Sequence, residues 1–206
     1  MLLTHDGIAP TIDPTARVAP TAVVCGDVHI GPNTSIGFGC VLTAESGPIR
    51  IGADGVVMDT AVLRGVAGAP LTLGDRVMVG PRAYLSGCTV EDEAFLATGA
   101  AVFNQARVGR GAEVRINAVV HIRTVLEPGA TVPIGWVAVG DPAVILPPGD
   151  HDAIWAVQAP LDFPRTVFGQ DRPPPGESLM PRVMPRYARR LGRHRNDAVV
   201  EGSPAP

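Results

Sequence analysis

Lysine is absent from this 206-residue chain, so all 17 of its basic residues are arginine. Set against 20 acidic residues they leave a net charge of −3. That is too little to drive binding to nucleic acid or to an anionic membrane surface. Aromatic residues make up only 4 %, so Val, Ile, Leu and Ala have to fill any core. No apolar run approaches the roughly 20 residues that span a bilayer. The opening MLLTHDGIAP has neither the basic nor the apolar region of a signal peptide. The cysteines, Cys25, Cys40 and Cys88, are odd in number and far apart. They read as small buried hydrophobes in a reducing compartment, not as a disulfide framework. The expectation is a cytoplasmic protein with neither a membrane nor a nucleic acid as partner.

What the chain has in quantity is punctuation: 24 Gly and 21 Pro, which suit many short segments joined by tight turns. Its aliphatic residues recur every six positions. The series runs Ile12, Val18, Val24, Ile30, Ile36, Leu42, then Ile51, Val57, Leu63, then Leu73, Val79, Leu85. It restarts at Val90 and continues through Leu96, Val102, Val108, Val114, Val120, Leu126 and Val132. Four residues after most of these stands a small residue, among them Ala22, Ala61, Ala83, Thr89, Ala94 and Ala118. A helix would need apolar spacings of three and four, and a sandwich would need longer two-residue alternation. Hexads of this kind predict an all-β parallel β-helix, in which each repeat buries its apolar face only by stacking on neighbours. At three strands per coil the count predicts about six to seven coils. Two longer steps, around SGPIR (46–50) and GVAGAP (65–70), place insertions at a corner, on a side that in solenoids often binds.

The organisation expected is a β-helix over residues 1–149 and a C-terminal helix with an extended Pro- and Arg-rich tail over 150–206. Asp150 is placed to cap a short helix carrying Ile154 and Val157, which Pro160 ends. The segment RYARRLGRHR (186–195) is arginine-rich, yet residues 150–206 hold eight Arg against seven Asp and Glu. A tail packed on the β-helix or on a neighbouring subunit accounts for it better than a nucleic-acid surface.

In order and spacing, IRIG (49–52), Asp59 followed by AVL (61–63), LGDRVMVG (73–80), SGCTV (86–90) and VGDPA (139–143) resemble the gamma-class carbonic anhydrase family. The resemblance covers about residues 8–150. It implies a left-handed parallel β-helix and a homotrimer with sites between subunits. In that family zinc held by three histidines activates water to hydrate carbon dioxide. The positions that match those histidines are Arg64, Pro81 and Ser86. Arginine is a permanent cation, proline offers no donor, and serine is a poor zinc ligand. The surrounding residues differ as well. Thr43-Ala44-Glu45 stands where the family has Arg-Gly-Asp, and Met58-Asp59 where it has Gln-Asp. No metal and no cofactor are therefore expected. The remaining histidines, His5, His29, His121, His151 and His194, show no ligand spacing in sequence and read as surface turn residues.

Three functions follow from this. One is a non-catalytic trimer, a binding or scaffold protein. Another is an enzyme with changed chemistry on a small anionic ligand, a carboxylate or phosphate, in a cleft lined by Thr43, Glu45, Asp59, Arg64, Pro81, Arg82, Tyr84 and Ser86. There the arginines bind the anion and Tyr84 or Glu45 moves a proton. In the inert version of that cleft, Arg64 and Asp59 form an ion pair across a subunit interface. The last is a CoA-dependent acyltransferase, which needs a histidine base, and His121 is the one histidine within the later coils.

Overall fold

The computed structural model describes residues 1–200. The hexads become rungs of a parallel β-helix with three columns of stacked aliphatic residues. One column runs Ile12, Ile30, Ile51, Leu73, Val90, Val108, Leu126. A second runs Val18, Ile36, Val57, Val79, Leu96, Val114, Val132 and forms the seven-stranded sheet. The third runs Leu2, Val24, Leu42, Leu63, Leu85, Val102, Val120, Ala138. From Val24 onward every member of the three columns is at most 5 % exposed. Burying each such Val, Leu or Ile is worth about 1.5–3 kcal/mol, and the repetition makes the fold.

The third column has eight levels, above the six or seven that the hexads gave. Leu2 adds a rung before the periodic series begins, and Ala138 adds one after it, too small to register in a count of large aliphatics. The small residues close the corners: Ala22, Ala61, Ala83, Ala94, Ala100 and Ala118 are at most 1 % exposed. Thr89 is the exception, because the five-residue step before Val90 shifts the phase. Cys88 takes the corner at 1 % exposure and Thr89 faces solvent.

Both insertions lie on one side. The first is absorbed into a long strand, Val41–Ile51, and the second into a tight turn whose Val66 and Ala69 bond each other's backbone. These two stretches pack so closely that a Cβ on Gly65 would land on the carbonyl oxygen of Gly47. Only glycine permits that approach.

Beyond the coils, α1 (His151–Gln158) follows Asp150, which sits at the N-cap position but makes no side-chain capping bond. The helix is held by its buried Ile154. α2 (Phe163–Phe168) is short and is closed by Gly169 at φ 64°. Within the tail stands a further helix, α3 (Met180–Leu191). Pro181 lies in its first turn, where a missing N–H costs nothing, whereas Pro185 lies inside it. Burial of Leu179 and Val183 offsets the interrupted ladder. The chain then returns to its beginning, where Ala198–Val199 pairs antiparallel with Leu2–Thr4. At the other end Val144–Leu146 pairs antiparallel with Val137–Val139. Among the described residues no helix is long and apolar enough to cross a membrane.

Candidate functional site

Parallel register brings Cys25, Thr43, Arg64 and Ser86 side by side on four successive rungs. The two insertions rise beside this ladder, and α2 and α3 roof it. The result is a groove of about 470 Å³. Its floor includes Glu45, Arg64, Tyr84 and Ser86, and its roof includes Phe163, Met184, Tyr187 and Arg190. Four of the eight residues predicted from sequence therefore meet in one place. Thr43 lies in the ladder beneath them, half-buried between Cys25 and Arg64.

The other three do not join them. Pro81 borders a shallow depression on the seven-stranded face with Met78, Phe95, Ile116 and Ile134. Arg82 is exposed at φ 57° in a left-handed turn, which aims its backbone and side chain off the ladder. Asp59 is a turn residue whose Oδ1 accepts the Phe38 N–H at 2.7 Å. The ion pair expected of it with Arg64 is one across a subunit interface; within the chain the two form none. Arg64 turns to Glu45 instead, because residues 45 and 64 sit on adjacent rungs beside the same insertion.

Glu45 is the electrostatic centre of the groove, with its side chain only 2 % exposed. Its Oε2 accepts a close hydrogen bond from Arg64 Nη2. Its Oε1 lies 3.1 Å from Arg190 Nε yet accepts no aligned hydrogen bond. Arg64 Nη2 also donates to the Tyr187 hydroxyl at 3.1 Å, and Arg190 donates to Ser46 Oγ. Burial opposes the charge on Arg64, but Tyr187 and Glu45 outweigh it and hold the guanidinium firmly protonated. Arg182 and Arg186 also line the groove, so four guanidinium groups face one carboxylate.

This donor set does not fit zinc. A catalytic zinc needs three ligands drawn from His, Cys, Asp or Glu. The groove offers a carboxylate already bound by two arginines and a neutral hydroxyl at Ser86, and Pro81 is elsewhere. Nor does it offer an acyltransferase base, since no histidine lines it among the described residues. His121 is half-buried in a later coil, where burial pushes its pKa below the ordinary value and its Nδ1 has no hydrogen-bond partner among the described residues.

Sequence reasoning missed the roof. Val183, Tyr187 and Arg190 recur at helical spacing and point one face of α3 at the coils, but Pro181 and Pro185 concealed the pattern. It also separated histidines that the fold joins: the rings of His5 and His194 stack with centroids 4.4 Å apart.

No protein-family profile matches the chain. Among curated proteins it is 37 % identical over 144 residues to gamma carbonic anhydrase 1, mitochondrial, of Arabidopsis thaliana, covering 67 % of this chain and 50 % of that one. It is 31 % identical over 111 residues to a carbonic anhydrase of Geobacillus kaustophilus, covering 54 % and 61 %. The chain thus spans about half the length of the curated relatives it matches. Among solved structures, a hexapeptide transferase family protein from Anaplasma phagocytophilum superposes with a TM-score of 0.46 at 26 % identity, over 77 % of this chain and 90 % of that one. With its hexad-built coils and these curated relatives, the chain is a gamma-carbonic-anhydrase-like hexapeptide-repeat protein.

Proposed function

We propose that this protein is a trimeric binding protein in which zinc-dependent hydration of carbon dioxide has been replaced by recognition of a small anion in the Glu45–Arg64 groove. The observation that carries the reading is Arg64. It occupies a position that the family resemblance assigns to a zinc histidine, and it is clamped between Glu45 and Tyr187. A guanidinium fixed there repels a cation and attracts carboxylate or phosphate. Arg186, exposed at the rim, adds a second such donor. The apolar walls supplied by Phe103, Phe163 and Met184 suit a ligand with an anionic head and an apolar body.

Trimerisation is supported by a row of exposed apolar side chains on the seven-stranded face: Val56, Met78, Phe95, Ile116 and Ile134. Pro81 belongs to that face. In a family-type trimer this face would meet the ladder of the next subunit, so Pro81 would approach Arg64 across an interface. The three buried free cysteines suit a reducing compartment such as the cytoplasm.

Two measurements test the reading. With zinc supplied in excess, the purified protein should show no carbonic anhydrase activity. Titration calorimetry with inorganic phosphate and with octanoate should show binding of at least one, weakened about tenfold by Arg64→Ala, since a lost charge-assisted hydrogen bond is worth about 1.5–3 kcal/mol. Zinc-dependent hydration of carbon dioxide, or identical binding by Arg64→Ala, would refute it.

A further inference from the structure

At the first coils, among residues that do not line the groove, the fold gathers His5, Cys25, His194 and Asp197. One ligand atom from each lies within 4.8 Å of all the others. Cys25 stands on the ladder two rungs from Arg64, about 10 Å along the solenoid. His5 and Cys25 are 5 % and 3 % exposed, and the Asp197 side chain 8 %, while His194 closes the cluster on the solvent side. Asp197 is the hub. Its Oδ1 lies 2.7 Å from His5 Nδ1, and its Oδ2 lies 2.7 Å from His194 Nδ1 and 3.2 Å from the Cys25 thiol.

We infer that these four side chains form a zinc-type metal site, separate from the groove, that clasps the C-terminal segment onto the first coils. The chemistry agrees in donor type, number and charge. One thiolate, two imidazoles and one carboxylate complete a tetrahedral shell for zinc, closed to a further ligand as structural sites are. A divalent cation with one thiolate and one carboxylate is neutral overall, which removes the cost of burying charge that an unpaired cation would meet. Without metal, burial and the nearby Asp197 push the Cys25 thiol up to about 12. The group is then a hydrogen-bond donor and no nucleophile at neutral pH. On binding, the thiol proton leaves for solvent, as does any proton on the coordinating ring nitrogens, and the metal takes the place of the hydrogen bonds to Asp197.

The surroundings also suit ligation. Asp6 Oδ2 lies 3.7 Å from His5 Nε2 and is itself paired with Arg193. A carboxylate behind a ligating imidazole orients the ring and raises its basicity. The clasp joins residues 5 and 25 to residues 194 and 197, so it closes a loop of nearly the whole chain. Cross-links over long loops restrain the unfolded state most. By fixing Asp197 it also fixes the strand Ala198–Val199 and, through the preceding turn, the position of Tyr187 and Arg190 above Glu45.

The test uses the full chain, stripped of metal and titrated with cobalt(II). One cobalt per chain should bind, with the thiolate-to-cobalt charge-transfer absorption in the near ultraviolet and the intense visible bands of a tetrahedral centre. Added zinc should bleach both. Cys25→Ser should abolish the charge-transfer band and weaken binding by about 100-fold or more. His194→Ala, at the solvent-facing side, should weaken binding similarly while circular dichroism shows the coils intact. Glu45→Gln should leave cobalt binding as in the parent protein. The inference falls if no cobalt binds, if it binds without a thiolate band, or if Cys25→Ser and His194→Ala bind as the parent does. Loss of cobalt in Glu45→Gln alone would put the metal in the groove and overturn both this inference and the anion-binding reading.

Discussion

The coils and the C-terminal segment are built on opposite principles. In the coils, cohesion is many times repeated and mostly local: each aliphatic residue packs on the one about 18 residues earlier, and losing one leaves the others in place. In the segment from α2 to residue 200, cohesion depends on a few contacts with partners more than a hundred residues away. Arg64 meets Tyr187, Glu45 meets Arg190, and Asp197 meets His5 and Cys25. The first kind of structure carries rigidity and the second carries chemistry, and the groove exists where the two meet.

Three substitutions probe that division, the largest effect first. Leu63→Ala, at a position with no exposure, should lower global stability by about 2–5 kcal/mol in urea melts, because close-packed neighbours cannot fill the void. Tyr187→Phe removes the hydroxyl that meets Arg64. It should cost about 1 kcal/mol and appear as faster amide exchange in α3, with the melting of the coils unchanged. If Tyr187→Phe shifts the global transition as far as Leu63→Ala does, coils and tail are one cooperative unit and the division fails. The smallest effect concerns a half-buried polar residue of the later coils. Burial lowers the pKa of His121 from its ordinary 6.5. Below that value the unfolded chain takes up a proton that the folded chain resists, so stability is full above it and falls on acidification toward the folded value. His121→Gln should flatten the slope of stability against pH below about 6.5, measured by urea titration at several pH values.

The same division explains how far the sequence could be read. Val24 through Val132 were legible because the physical rule that buries them, a large aliphatic at each inward position of a short strand, has a fixed period. Arg64 and Ser86 were legible as neighbours because the same period sets their register, and Glu45 because it borders an insertion. Pro81, Arg82 and Asp59 do not reach the groove within one chain, because nearness in a motif is not nearness around a coil: each lies at a turn that faces another side. α3 was hidden by Pro181 and Pro185, of which Pro185 interrupts the helix ladder at a cost that the burial of Val183 offsets. The cluster of His5, Cys25, His194 and Asp197 leaves no periodic trace at all, since the backbone that joins it passes through every coil on the way.

The two antiparallel pairings at the ends of the third column carry a consequence for assembly. A parallel β-helix is in principle a polymer: its last coil displays the same pattern of donors and acceptors as its first, so copies can add end to end into a fibre. Here one face is blocked at each end, by Ala198–Val199 lying against Leu2–Thr4 and by Val144–Leu146 lying against Val137–Val139. A strand laid in reverse cannot template the slanted bonding of a parallel rung, and a new coil has to dock along all three faces at once. Such pairings oppose end-to-end growth, and at the first coil the strand responsible comes from beyond α3, after the chain has passed through every other coil.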